Sequence, residues 1–390
     1  MDVLFIVSRV PYPLEKGDKL RAFHHLRLLS ETHTVTLIAL ADGPVHPDAQ
    51  TTLQRYCSGL HIIQLSWISR LLNLGVALFT GKPFSSGYFY SRAAQNVIDQ
   101  VIDQVRPAHI YCQLTRVCEY VLHVKGIPKT LDYQDAFAKG VERRIGREPF
   151  FLRWIYRMEH RRLQRYEAFV FDHFENSVIV SAQDRDFIDH PSRHRIVVVP
   201  NGVDIDYFQP QRAEKDYDLV FTGNMAYPPN VESAQFLVNR VLPRVWDEMP
   251  KVNLLVAGAT PAGRVRALEG KNVHVSGWVD DIRESYARAQ IFIAPMQISI
   301  GLQNKLLEAM AMQLPCITSE LANNALGGTH DGNVLVCSNA EEYADAIVRL
   351  LTKPQEAARL SAAGHEFVTE NYGWRKMTQP LIDLIENELS

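Results

Sequence analysis

The chain has 390 residues, 46% of them hydrophobic and 22% charged, with a formal net charge of -3. That length exceeds what one hydrophobic core usually serves, so two domains are expected, and the near-neutral charge excludes a surface built for nucleic acid. The five cysteines, Cys57, Cys112, Cys118, Cys316 and Cys337, lack the paired spacings of a zinc site and read as reduced, buried thiols of a cytoplasmic protein.

The chain runs from Met1 and Asp2 straight into the apolar strand VLFIV, with no basic leader, and is expected to stay inside the cell. Lys16-Gly17-Asp18-Lys19 follows this strand and precedes a helix carrying Arg21, His24 and His25. The stretch Trp67 to Phe84 is interrupted by Arg70, Asn73, Lys82 and Pro83, too soon for a membrane crossing, and reads as a buried or surface-facing helix. Short apolar runs at Val3–Val7, Val35–Leu40, His109–Cys112, Val178–Val180 and Ile196–Val199 alternate with helical patterns, which indicates parallel strands covered on both faces. After a strand ending at Thr130, Asp132 or Asp135 stands where a carboxylate meets a hydroxyl acceptor, or else Asp135 caps a helix. Between Lys139 and Arg165 arginines, Arg147 among them, interleave with Phe150, Phe151 and Trp154. This is either a face for anionic lipid or a solvated helix paired with Glu142, Glu148 and Glu159.

A polar interruption at Pro210 and Gln211 marks a boundary between Phe208 and Asp216. A second series of strands follows at Leu219–Thr222, Asn253–Ala257, Val273–Ser276, Ile291–Ala294, Cys316–Thr318 and Val334–Val336. The expected architecture is therefore α/β throughout: domain 1–208, domain 216–370, and a C-terminal helix over 371–390. Ligands of open α/β sheets bind beyond the carboxyl ends of the strands, so the site is expected in a cleft between the two sheets. The segment Ser299 to Ser319, SIGLQNKLLEAMAMQLPCITS, reads as strand, glycine loop, helix and strand. A helix starting near Gln303 would aim backbone N–H groups at a phosphate. Lys305 and Glu308, three apart, share one face, with the cation set for a diphosphate and the carboxylate for paired hydroxyls; on an arbitrary helix the same pair is only a surface ion pair.

Glu308 to Ala311 and Pro315, in this context, resemble the nucleotide-sugar signature of glycosyltransferase family 4. Ile300 stands where that family normally has its first glutamate, a departure shared by a subgroup with GLQNK-type loops. PNGVD at Pro200–Asp204 resembles the family's hinge, FTGNMAYPPN at Phe221–Asn230 its first donor-domain strand and loop, and GWVD at Gly277–Asp280 the turn that reads the base edge. The resemblance covers nearly the whole chain. It implies a GT-B fold of two Rossmann-like doubly wound domains, and retaining transfer of a sugar from a nucleotide-diphosphate donor to a saccharide or lipid-linked acceptor, in exopolysaccharide or cell-envelope glycan assembly. It implies no metal and no cofactor beyond that co-substrate. The donor contacts it implies are Gly17, Gly223, Asn224, Gly277, Trp278, Gly301, Leu302, Gln303, Asn304, Lys305 and Glu308; the candidates for the reacting centre are Asp18, Lys305 and, from its place beside a strand end, Asp135. Many relatives carry an arginine and a lysine in this loop to hold the diphosphate, whereas Asn224 and neutral neighbours stand here, which leaves more of that charge to Lys305. Tyr372, Trp374 and the run to Leu389 resemble the family's last helix, which crosses back to the first domain.

Rival readings are a nucleotide-sugar epimerase of the same fold and a silent donor-binding subunit. A dinucleotide oxidoreductase ranks below both, since SRVPYPLEKGDK lacks the G-x-G-x-x-G fingerprint.

Overall fold

The computed structural model describes residues 1–146, 149–298 and 301–387. Arg147, Glu148, Ile300 and Leu389, all weighed in the sequence, lie outside the described residues. Contacts divide the chain into two compact units: Met1–Pro200 together with the chain from Thr378 onward, and Asn201–Met377.

The first unit holds a seven-stranded sheet in the order β3-β2-β1-β4-β5-β6-β7, made of β1 Asp2–Val7, β2 Thr34–Ala41, β3 Gly59–Gln64, β4 His109–Gln113, β5 Lys129–Asp132, β6 Asn176–Ile179 and β7 Val197–Val198. Every pairing is parallel. Val3 to Val7 are all inaccessible to solvent, as a continuous apolar run requires when helices cover both faces. The strand β3 has no counterpart among the expected runs; its residues GLHIIQ are only half buried at the sheet edge, so their apolar signal is diluted.

The second unit holds a six-stranded parallel sheet in the order β10-β9-β8-β11-β12-β13. Its strands are β8 Tyr217–Thr222, β9 Leu254–Ala257, β10 Val273–Gly277, β11 Ala289–Ala294, β12 Cys316–Ser319 and β13 Leu335–Cys337. Residues 201–208, counted with the first domain in the sequence, pack here instead. Val203 is buried in this core, bridges to Gly373, and is joined by Ile205 and Phe208. The Trp374–Asn387 helix begins in this unit, but its later residues complete the other one: Leu381 and Ile385 are fully buried, and the Asn176 amide donates to the Leu384 carbonyl at 3.3 Å.

In both sheets the chain order reverses beside the first strand, between β1 and β4 in one unit and between β8 and β11 in the other. At such a point the flanking loops part on opposite faces and leave a crevice beyond the carboxyl ends of the strands.

Candidate functional site

The crevice of the second unit gathers most of the residues singled out in the sequence. The Asn304–Ala311 helix, opened by Gln303 in extended conformation, carries Lys305 and Glu308. Lys305 reaches across to β8 and the Pro228–Phe236 helix that follows it: its ammonium donates to Asn230 Oδ1 at 2.5 Å and lies 4.7 Å from the centre of the Phe221 ring. The Asn230 amide in turn donates to the Asn224 carbonyl at 2.9 Å. Gly223 has φ +149, and a Cβ there would sit 2.7 Å from Asn230 Nδ2 and 3.1 Å from Lys305 Nζ. Only a glycine lets lysine, asparagine and backbone converge in this way.

Burial pushes the Lys305 ammonium down to about 7, against a smaller upward pull from Glu308. Glu308 is pushed up by burial, while the Tyr286 hydroxyl, donating at 2.7 Å, and Lys305 act in the other direction. Tyr286 is held in place by Thr222 Oγ1 at 2.8 Å. The other oxygen of Glu308 has no hydrogen-bond partner among the described residues. A cation beside bare backbone and, one helical turn on, a carboxylate with a spare acceptor can hold an anionic phosphate and a hydroxyl-bearing sugar.

The neighbouring loops also close on glycine. The Gly258 N–H donates to the Gly277 carbonyl and the Gly223 N–H to the Ala257 carbonyl, each at 3.0 Å, so the ends of β8, β9 and β10 are laced together. Gly277 at φ +72 and Gly301 at φ +68 occupy left-handed backbone that other residues enter at a cost. Trp278 is 62% exposed, its indole N–H resting on Asp280. Leu302 packs into the core, and the Gln303 amide turns back onto the Gly301 carbonyl at 3.1 Å. The Asn224 side chain is occupied in a local turn, accepting from the Ala226 N–H, so its backbone carbonyl makes the contact to Asn230.

In the first unit, Gly17 and Asp18 open the Gly17–Leu29 helix, and Asp18 pairs with Arg9 at 2.7 Å. The Gln113 amide, from the end of β4, holds the Asp18 carbonyl at 3.0 Å. Asp135 is exposed, but the chain packed around its carboxyl hinders hydration and, with the charges of Asp184, Asp132 and Asp18, pushes it up to about 6, Arg116 acting the other way. Lys19 pairs with Glu15.

Asp132, the open alternative to Asp135, is fully buried and committed. It accepts from Arg21 Nε at 2.6 Å and Nη2 at 3.2 Å, from the Tyr111 hydroxyl at 3.1 Å, and from the Gln134 N–H at 2.9 Å. Arg21, equally buried, also donates to the Val199 carbonyl at 2.8 Å. The pair therefore ties the Gly17–Leu29 helix to the sheet and does not face a substrate. Asp132→Ala leaves the guanidinium buried without its counter-ion and is expected to cost about 3–5 kcal/mol, seen as earlier urea unfolding of the first unit.

Tyr286 and Gly258 were not singled out in the sequence, and Phe221 and Asn230 entered only as the ends of the FTGNMAYPPN segment. Gly258 alone carried a signal there, a glycine placed directly after a strand.

Residues 216–353 match the family model described as Glycosyl transferases group 1. Over 96% of its length the chain is 21% identical to an uncharacterized 44.6 kDa protein in the cps region of Klebsiella pneumoniae, covering 97% of that protein. Among solved structures it is similar to a sucrose-phosphate synthase from Thermosynechococcus elongatus, with TM-score 0.70 and 14% identity over 100% of this chain and 99% of that one. It is also similar to Anabaena HepE in complex with UDP and glucose, with TM-score 0.67 and 13% identity over 99% and 100% of the two chains. The two parallel-sheet units have the GT-B fold.

Proposed function

We propose that the protein is a glycosyltransferase that moves a sugar from a nucleotide-diphosphate sugar to a saccharide or lipid-linked saccharide during cell-envelope glycan assembly. One observation carries this reading: a buried lysine, held by Asn230, stands over a glycine at the switch point of a sheet whose sequence matches a glycosyltransferase domain. The cps-region relative supports the envelope context, and the complex of the similar HepE with UDP and glucose supports a nucleotide-sugar donor.

In this reading Lys305 and the backbone around Gly223 and Gly301 bind the diphosphate and offset the charge that develops on it as the glycosidic bond breaks. The spare oxygen of Glu308 accepts from a hydroxyl of the nucleotide's ribose, and Trp278 offers a ring to the base. Asp18 and Asp135 act at the reacting centre, Asp135, its carboxyl pushed up to about 6, as a proton acceptor. Retention of anomeric configuration, independence of metal and a peripheral contact of residues 139–165 with anionic membrane belong to the same proposal.

Calorimetric titration with UDP, GDP, ADP and TDP tests it. One diphosphate is expected to bind selectively, and Glu308→Ala to weaken it by about 10- to 100-fold, the loss of a hydrogen bond to a charged group. Binding of none of the four would sink the reading. Incubating the protein with donor alone and watching for a second sugar isomer separates it from an epimerase.

A further inference from the structure

The Trp67–Thr80 helix has its sides reversed relative to an ordinary surface helix, which buries its apolar face. Arg70, Asn73 and Ala77, three and four residues apart, form the inward side. Arg70 Nη1 donates to the Asp42 carbonyl at 2.9 Å and the Tyr88 hydroxyl at 2.5 Å, and the Asn73 amide donates to the Tyr90 carbonyl at 2.6 Å. Ala77 is buried against Gly87, so closely that a Cβ on Gly87 would lie 2.8 Å from that of Ala77. Trp67, Ile68, Leu71, Leu72, Val76 and Phe79 are left outward, Phe79 88% and Leu72 66% exposed. The helix contains no acidic residue, and its one charge is the inward Arg70. It offers an apolar strip about 20 Å long, larger than a monomeric surface leaves in water without a use.

We infer that this helix lies in the plane of an anionic lipid surface, its outward face inserted at the acyl boundary. The inference extends the membrane contact proposed for 139–165 by assigning the apolar anchor, and it is independent of the transfer reaction. The charge around the strip argues for lipid. The C-terminal turn is gripped by Arg162, which donates to the carbonyls of Ala77 at 2.9 Å, Leu78 at 2.8 Å and Lys82 at 3.2 Å. Arg162 belongs to the Arg153–Phe171 helix, where Arg153, Arg157, Arg161 and Arg165, four apart, form an exposed row. Just before that helix, Phe150 and Phe151 stand exposed, and Trp154 in its first turn joins them.

From 139 to 165 the sequence has nine lysines and arginines against three glutamates, in a protein of net charge -3. An apolar strip held at its end by a helix that carries a row of exposed cations and aromatic rings has the chemistry an anionic bilayer surface takes. A second copy docked face to face on the strip would bring these arginine rows toward one another, so charge disfavours that occupant.

Flotation of the full chain with phosphatidylcholine vesicles, with and without phosphatidylglycerol, tests this. The wild type is expected to float with the anionic vesicles. The double variant Leu72→Asp, Phe79→Asp changes only exposed positions, so its thermal midpoint should stay put while its vesicle affinity falls by at least about tenfold. The triple variant Arg157→Glu, Arg161→Glu, Arg165→Glu should lose the preference for phosphatidylglycerol. A wild type that ignores anionic vesicles overturns the inference. So does an Asp variant that floats as well as wild type, an outcome that would leave the contact through 139–165 standing. A wild-type dimer that the Asp substitutions dissociate, without vesicle binding, overturns it as well.

Discussion

Lys305→Ala is expected to lower kcat/KM for the donor by about two to three orders of magnitude, the usual effect of removing one electrostatic stabiliser of a developing charge. More of the loss should fall on kcat than on donor affinity, because the diphosphate gains charge as the sugar departs. Folding stability should not fall with activity, since the wild-type ammonium is held at about 7 by burial, and its removal relieves that strain. Arginine should not rescue function: Asn230, Gly223 and the Phe221 ring leave room for a compact ammonium and not for a planar guanidinium.

The same lysine sets a pH dependence whose sign is fixed. In the free protein the ammonium loses its proton through about pH 7, whereas a bound pyrophosphate holds the proton on and raises the pKa. Affinity for an intact nucleotide sugar is therefore flat below that pH and falls by up to about tenfold per unit above it. Calorimetry in buffers of different ionisation enthalpy should register proton uptake on binding above pH 7, and no uptake in Lys305→Ala. A flat affinity profile from pH 6 to about 9 would remove Lys305 from the diphosphate site.

Gly258→Ala should be the most damaging single methyl in the second unit. Its φ of +139 is backbone that L side chains rarely adopt, and the new Cβ would lie 1.9 Å from the Gly223 carbonyl oxygen. Either the end of β9 or the Gly223 peptide must move. Since Gly223 lies against Lys305, both fold and donor binding should suffer, with about 4 kcal/mol or more lost in urea unfolding. Gly17→Ala is the contrast, because its Cβ would meet only Gln134 Nε2, at 3.8 Å. If Gly258→Ala unfolds with the wild type, the lacing of β8, β9 and β10 does not hold the site together.

The sheets were legible in the sequence because strands buried on both faces are written as unbroken apolar runs, as in VLFIV. The half-buried β3 was not, for the same reason. Lys305 and Glu308 could be read as one helix face from their spacing alone. Their partners could not: Asn230 stands 75 residues before Lys305, and although it closes the FTGNMAYPPN segment, no spacing ties it to that lysine. The commitment of Asp132 to Arg21, 111 residues away, was equally hidden, so Asp132 and Asp135 looked alike beside the end of one strand. Composition placed the interruption at Pro210, whereas packing assigns 201–208 to the second unit through Val203, Ile205 and Phe208, whose apolar spacing sits on both sides of no obvious break. The outward apolar face of the Trp67–Thr80 helix was also beyond reach, since periodicity reveals that a helix has two sides and not which one meets solvent.

The return of the chain to the first unit at Thr378 sets an order of events during synthesis. Asn201–Met377 is one uninterrupted stretch and closes its core without help from any later segment. The first unit, although begun earlier, waits for Leu381 and Ile385 to cover the surface they bury. Until then it presents that apolar surface to the crowd of nascent chains, so the half that is translated first is the half that matures last.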